Sequence, residues 1–236
     1  MNLLTEHRLD VPATRRYAER AGNSFVDYFL LNGSTTQGRE MSTNLRSAVV
    51  ELWADIVGVG RIIACCWDRH DLEAAAGQQV MPMAVMDGLG DTAAALAFLR
   101  SLPADATVYS HPELFQGLPF SAEVARAAQE AGCLPLGGKL AKIKLPEIAA
   151  IHESAGGFRL WDGSARHIEQ SLQAGADGIV ATPITAVIAG PEDFRPKTPQ
   201  DLQAVVDPEQ ATLDSLPDRD SRRRYLYEQV KAQIDA

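Results

Sequence analysis

Leu140-Ala141-Lys142-Ile143-Lys144-Leu145 reads as a short strand with a lysine, Lys144, next to its end. Two other apolar runs end in the same abrupt way. Thr107 to Ser110 closes on Tyr109, and the run from Phe25 to Leu31 gives way to Gly33-Ser34-Thr35. Between such runs lie longer, Ala-rich amphipathic stretches, the pattern of parallel strands joined by helices. Further strands are expected over 61–67, 80–86, 158–161 and 178–181. Helices are expected over 11–20, from Ser42 or Thr43 to Ile56, over 71–79 and 92–102, from Ser121, over 164–174 and over 220–234. Asp10 is a plausible N-cap for the first helix, with Pro12 in its first turn. Seven strand candidates follow that helix, which predicts an α/β chain of the (β/α)8 TIM-barrel type with a short or missing first strand. Only Asn2-Leu3-Leu4-Thr5 is available to supply that strand, and such a stub is expected to pair, because an open barrel would expose a sheet edge.

In such a barrel the C-terminal strand ends converge on one face, so residues distant in sequence surround one pocket. A hydroxyl pair, a phenol and an amine at these ends suggest Schiff-base carbonyl chemistry. An amine attacks a ketone only when unprotonated, which requires desolvation or a neighbouring cation. Lys144 has both on this reading, since Ile143 and Leu145 flank it and Lys142 projects to the same side. Lys142 is the alternative nucleophile, and Lys139 belongs to a glycine-rich surface loop. On local sequence alone the lysines also read as solvated rim charges. Tyr109 reads equally as a buried phenol bonded to a carbonyl, and Ser34-Thr35 as a simple turn before a helix.

The order of these pieces resembles the dihydrodipicolinate synthase / N-acetylneuraminate lyase family of class I aldolases. Asn32-Gly33-Ser34-Thr35 resembles that family's Gly-Thr/Ser-Thr-Gly-Glu loop, Tyr109-Ser110-His111-Pro112 its Tyr-Asn-x-Pro, and Ala141-Lys142-Ile143-Lys144 its Gly-x-Lys strand. The stretches 158–163 and 174–179 resemble its last two strands and the turn between them. The resemblance implies that Lys144 forms an imine with a pyruvate-derived 2-keto acid and that Tyr109 moves protons. It implies that Gly33, Ser34 and Thr35 hold the substrate carboxylate, with Gly163 and Ala181 lining the pocket and His111 a further candidate binder. It also implies a homo-oligomer, and no metal or organic cofactor, because the protonated imine is itself the electron sink. Thr36 and Gln37 stand where the family has glycine and glutamate. The family's synthases carry an arginine soon after Tyr-Asn-x-Pro, whereas Pro112 is followed by Glu113-Leu114-Phe115, so a typical dihydrodipicolinate synthase is not expected. The expected activity is a lyase or aldolase on a 2-keto-3-deoxy sugar acid or similar substrate. An imine-dependent dehydratase or hydratase and a non-catalytic keto-acid-binding barrel are the alternatives.

Composition fits this reading. The 236 residues approach the ~250 of a typical single barrel. A net charge of −9 argues against general nucleic-acid binding. No apolar stretch suggests a membrane span. The first ten residues lack the pattern of a secretory signal, so a cytoplasmic location is expected. Three cysteines without Cys-x-x-Cys spacing read as reduced core thiols rather than zinc ligands. The barrel is expected to occupy residues 1–191. Residues 192–236 should form a helical extension, with Tyr225, Leu226 and Val230 docked on the barrel or on another subunit. Arg222-Arg223-Arg224 reads there as a solvated helix face.

Overall fold

The computed structural model describes residues 3–5, 8–190 and 194–236. Asn2, the first residue of the expected stub, and the boundary expected at 191/192 lie outside the described residues. Two compact units are present, one formed by Met1–Met81 with Ala181–Ala236 and the other by Pro82–Val180.

The first unit opens with β1 (Leu4–Thr5), which pairs antiparallel with β2 (Arg8–Leu9). The stub does pair, but with its own continuation. Asp10 then caps α1 (Val11–Gly22), its carboxylate accepting from the Ala13 amide at 3.0 Å. β3 (Phe29–Leu31) and β4 (Ile62–Cys66) are parallel, with Phe29 opposite Ile62. α2 (Thr43–Val57) connects them, and α3 (Arg69–Gly77) follows. The core of this unit is built on Trp53, whose ring meets Tyr17 edge-on at 5.4 Å and Phe29 at 5.1 Å. Burial pushes the Tyr17 phenol far above its usual range, so it stays neutral and acts as a core ring. Arg46 is also buried, but it is compensated, pairing with Asp71 and Asp68 at 2.8 Å each. A buried charge without such partners would be costly.

The C-terminal segment forms two long helices, α8 (Pro199–Ser215) and α9 (Arg219–Asp235). Pro208 lies within α8. Its missing N–H deprives the Ala204 carbonyl of a partner, and both residues are exposed, so water can replace that bond. α9 buries Leu226, Val230 and Ile234. Its end is tied to α1 by Arg16 on Asp235 at 3.0 Å and by Arg20 on the Gln233 carbonyl. The apolar stripe of α9 is therefore used within its own chain.

The second unit repeats strand and helix in order: β5 (Met81–Val85), α4 (Thr92–Arg100), β6 (Thr107–Ser110), α5 (Ala122–Glu130), β7 (Gly137–Leu140), α6 (Leu145–Ser154), β8 (Arg159–Asp162), α7 (Ile168–Gln173) and β9 (Gly178–Ile179). Each strand pairs in parallel with its predecessor in the unit. Val108, Leu140 and Leu160 face the helices and pack with Val124, Ala128, Ile148 and Ile151. Alternation along a strand sends Tyr109, Lys139 and Trp161 to the opposite face.

One register differs from the sequence reading. The strand expected over 140–145 is β7, which ends at Leu140, and Leu145 already opens α6. Glycines are depleted from strands because they offer no side chain to pack. Here they are required, since a Cβ on Gly137 would lie 2.4 Å from the Arg159 carbonyl oxygen and one on Gly138 2.8 Å from that of Val108. α6, which the sequence reading lacked, has Pro146 in its first turn, and Glu147 accepts from the Ala122 amide at 2.7 Å. Among the described residues no helix is long and apolar enough to cross a membrane.

Candidate active site

In the second unit one row of residues runs across neighbouring strands in register: Val85, Tyr109, Lys139, Trp161 and Gly178. Lys139 is at its centre. Expected in a surface loop, it is only 8% exposed. Its Nζ lies 4.4 Å from the centroid of the Tyr109 ring, which is itself 1% exposed. Lysine is almost never buried unless paired. Among the described residues no carboxylate lies within ion-pair distance of this amine, and the face of the phenol ring is its counterpart. Phe115 meets the same ring edge-on at 5.0 Å, and His111 completes the aromatic group at 6.4 Å from Tyr109 and 6.2 Å from Phe115.

Gly163 adjoins the lysine from the next strand end. A Cβ there would be 3.1 Å from Lys139 Cε and 3.0 Å from Ala141 Cα, so the absence of a side chain leaves space for the lysine stem. Ser110, in place of the asparagine of the resembled motif, accepts from the Phe120 amide at 2.9 Å through Oγ. That bond fixes the exit of β6 just beyond Tyr109.

Lys144 is elsewhere. It is the N-cap residue of α6, exposed, and its carbonyl accepts from the Glu147 and Ile148 amides. Lys142 has a left-handed backbone at φ 58°, is 53% exposed at its side chain and pairs with Glu113 at 3.5 Å. A left-handed residue followed by a helix cap cannot continue an extended strand, which is why neither lysine occupies the expected strand position. The literal Gly-x-Lys of the sequence is Gly137-Gly138-Lys139. That spacing was the available signal for Lys139.

Trp161 and Asp162 were not singled out by sequence. Asp162 is buried at the end of β8, accepting from Ser171 Oγ at 2.6 Å and from the Ser164 amide at 2.8 Å. Burial raises its carboxyl above the usual range, opposed by the Ser171 and Ser164 bonds and by the charge of His167. It ties the segment that contains Gly163 to α7.

Within the first unit, Ser34–Thr36 forms a single 3-10 turn preceded by Gly33. The Thr36 and Gly38 amides and the Thr36 hydroxyl all donate to the Gly33 carbonyl, at 3.2, 3.1 and 3.1 Å. Asn32, just before it, takes the left-handed conformation. Its side-chain amide donates to the Arg46 carbonyl at 3.0 Å, and its carbonyl accepts from the Trp67 indole at 2.8 Å. Ala181 is half-buried in the segment that follows β9. Among the described residues no group of three or more His, Cys, Asp or Glu is arranged to hold a metal ion.

No family model matches this sequence, and no curated protein does. Solved structures do. The chain is similar to the 2-keto 3-deoxygluconate aldolase from Picrophilus torridus, with a TM-score of 0.79 and 15% identity, covering 98% of this chain and 91% of that one. It is similar to dihydrodipicolinate synthase from Cyanidioschyzon merolae at 0.70 and 16%, covering 96% and 91%. It is also similar to the 4-hydroxy-tetrahydrodipicolinate synthase from Methylacidiphilum fumariolicum SolV at 0.70 and 17%, covering 100% and 79%. The chain has the fold of the dihydrodipicolinate synthases. The α/β barrel class expected from the alternation of strand and helix is thereby shown, with a short first strand and C-terminal helices. In this dihydrodipicolinate synthase fold, Tyr109 and Lys139 occupy paired positions on adjacent parallel strands.

Proposed function

We propose that the protein is a class I aldolase or lyase that works on a pyruvate-derived 2-keto acid through an imine on Lys139. The observation that carries this reading is the buried Lys139 amine, lying on the Tyr109 ring with no carboxylate partner among the described residues. A structural lysine would be expected to have such a partner or to reach solvent.

The neutral amine attacks the ketone carbon, forming a C–N bond while the carbonyl oxygen takes a proton. The carbinolamine then loses that oxygen as water and becomes a protonated imine. Loss of a proton from the adjacent carbon gives an enamine, whose carbon forms the new C–C bond with an aldehyde. Cleavage runs the same steps backwards, and hydrolysis frees the lysine in either direction. Tyr109 is assigned as the proton carrier on the resemblance, and its ring is the one the amine covers. Carboxylate binding by Gly33, Ser34 and Thr35, and pocket contacts by Gly163 and Ala181, belong to the same proposal and rest on the resemblance. So does assembly into a homo-oligomer, which light scattering would test. A typical dihydrodipicolinate synthase is not proposed: Phe115 packs on Tyr109 in the segment where those synthases resemble one another in carrying an arginine.

Incubation with pyruvate and borohydride, followed by intact mass and peptide mapping, tests the mechanism. A reduced pyruvyl adduct on Lys139 is expected. An adduct on Lys144 or Lys142 would return the nucleophile to the exit segment of β7. Folded protein without an adduct would end the imine reading.

A further inference from the structure

We propose that α9 is a latch on the Ser34–Thr36 turn, and that Arg223 and Asp220, acting through Gln37, are positioning residues for the substrate carboxylate. This rests on the reading of Ser34 and Thr35 given above.

The turn has no apolar anchor, because none of its three residues is buried. It ends on Gln37, a non-glycine residue held at φ 55°, a conformation that ordinary side chains disfavour. Its own bonds close it onto the Gly33 and Ser34 carbonyls, and the Gln37 side chain ties it to the helix beyond. Behind Gln37, Gly38 is locked, since a Cβ there would lie 1.7 Å from the Asn32 carbonyl oxygen. On the other side α9 takes both ends of the Gln37 side-chain amide. Its Nε2 donates to Asp220 Oδ1 at 3.0 Å, and its Oε1 accepts from Arg223 Nη1. Asp220 and Arg223 face each other one helical turn apart at 3.6 Å, so donor and acceptor are presented as a matched pair.

The pair also accounts for a departure in the sequence. Glutamine stands where the resembled loop has glutamate, and a carboxylate there would oppose Asp220. An amide satisfies both partners. Arg223 thus leaves the role of solvated surface charge, while Arg224 beside it is exposed and provides the control on the same helix.

The test compares Arg223→Ala with Arg224→Ala in the full chain. Amide hydrogen exchange at Thr36, Gln37 and Gly38 should be about ten-fold faster in Arg223→Ala, the equivalent of one or two net hydrogen bonds. The pyruvate concentration giving half-maximal borohydride trapping should rise about five-fold, as for one such bond, with the final yield on Lys139 unchanged. Gln37→Glu should shift both readouts in the same direction. Exchange equal to that of Arg224→Ala would overturn the latch. Faster exchange with unaltered half-saturation would overturn its link to substrate. Failure of the underlying reading is separately visible. It appears as a parent protein that traps no pyruvate, or as a Ser34→Ala/Thr35→Ala double variant with unaltered half-saturation, and the exchange comparison still judges the latch.

Discussion

β7 and the segment that leaves it both carry lysine, and they treat it in opposite ways. In β7 two glycines admit the backbones of β6 and β8, and the next residue, Lys139, is drawn onto the Tyr109 ring. In the exit segment the chain turns left-handed at Lys142 and caps a helix at Lys144, and both amines reach solvent. The apolar neighbours of Lys144 suggested a strand, yet Leu145 is helical and Ile143 packs against the core on the helix side. Close backbone approach, rather than apolar flanks, decides which lysine the sheet encloses.

The largest effect that could break this contrast is at the amine itself. Lys139→Ala should abolish borohydride-dependent pyruvate labelling in an intact-mass experiment, while Lys142→Ala and Lys144→Ala keep it. Tyr109→Phe keeps a ring beneath the amine but removes the hydroxyl. Turnover should fall on the order of 10²–10⁴-fold, the usual contribution of a positioned proton donor, as measured by steady-state kinetics with the adduct still trappable. Gly138→Ala tests the architectural half of the comparison. Its Cβ would meet the Val108 carbonyl oxygen at 2.8 Å, and overpacking of this kind should cost about 1–3 kcal/mol in denaturant unfolding.

Asp162 gives a smaller, pH-dependent effect. Burial raises its folded carboxyl, so folding favours the protonated acid. Its stabilising contribution is complete below the ordinary carboxylate range and is lost as pH rises through the raised value. Asp162→Asn lacks that loss. Its stability relative to the parent, measured by urea unfolding, should rise across this window and then level off. The smallest effect belongs to the other lysine: Lys144→Ala should change unfolding stability by no more than about 0.5 kcal/mol, as at an ordinary surface site.

The regular elements were legible wherever a local signal existed. Asp10 with Pro12, and Ser42, announced their helices, and the apolar runs at 62–66 and 81–85 announced their strands. Legibility failed where a distant backbone decides the conformation. Gly137-Gly138 reads as a loop until β6 and β8 are known to approach it, and Pro208 is accommodated inside α8 at an exposed position where water can replace the lost backbone bond. In the candidate site, Tyr109 and Gly163 were read together with Lys144, and the side chain that the structure places beside both is Lys139. The partners of Gln37 are 183 and 186 residues away, beyond any local pattern.

The cysteines have a further use. Cys65 and Cys66 are enclosed within β4, whereas Cys133 of the second unit is half-buried. A thiol-reactive dye should therefore stain Cys133 early and reach the adjacent pair only when the first unit opens. The native chain carries its own stopwatch for that event, readable in a spectrophotometer without an engineered probe.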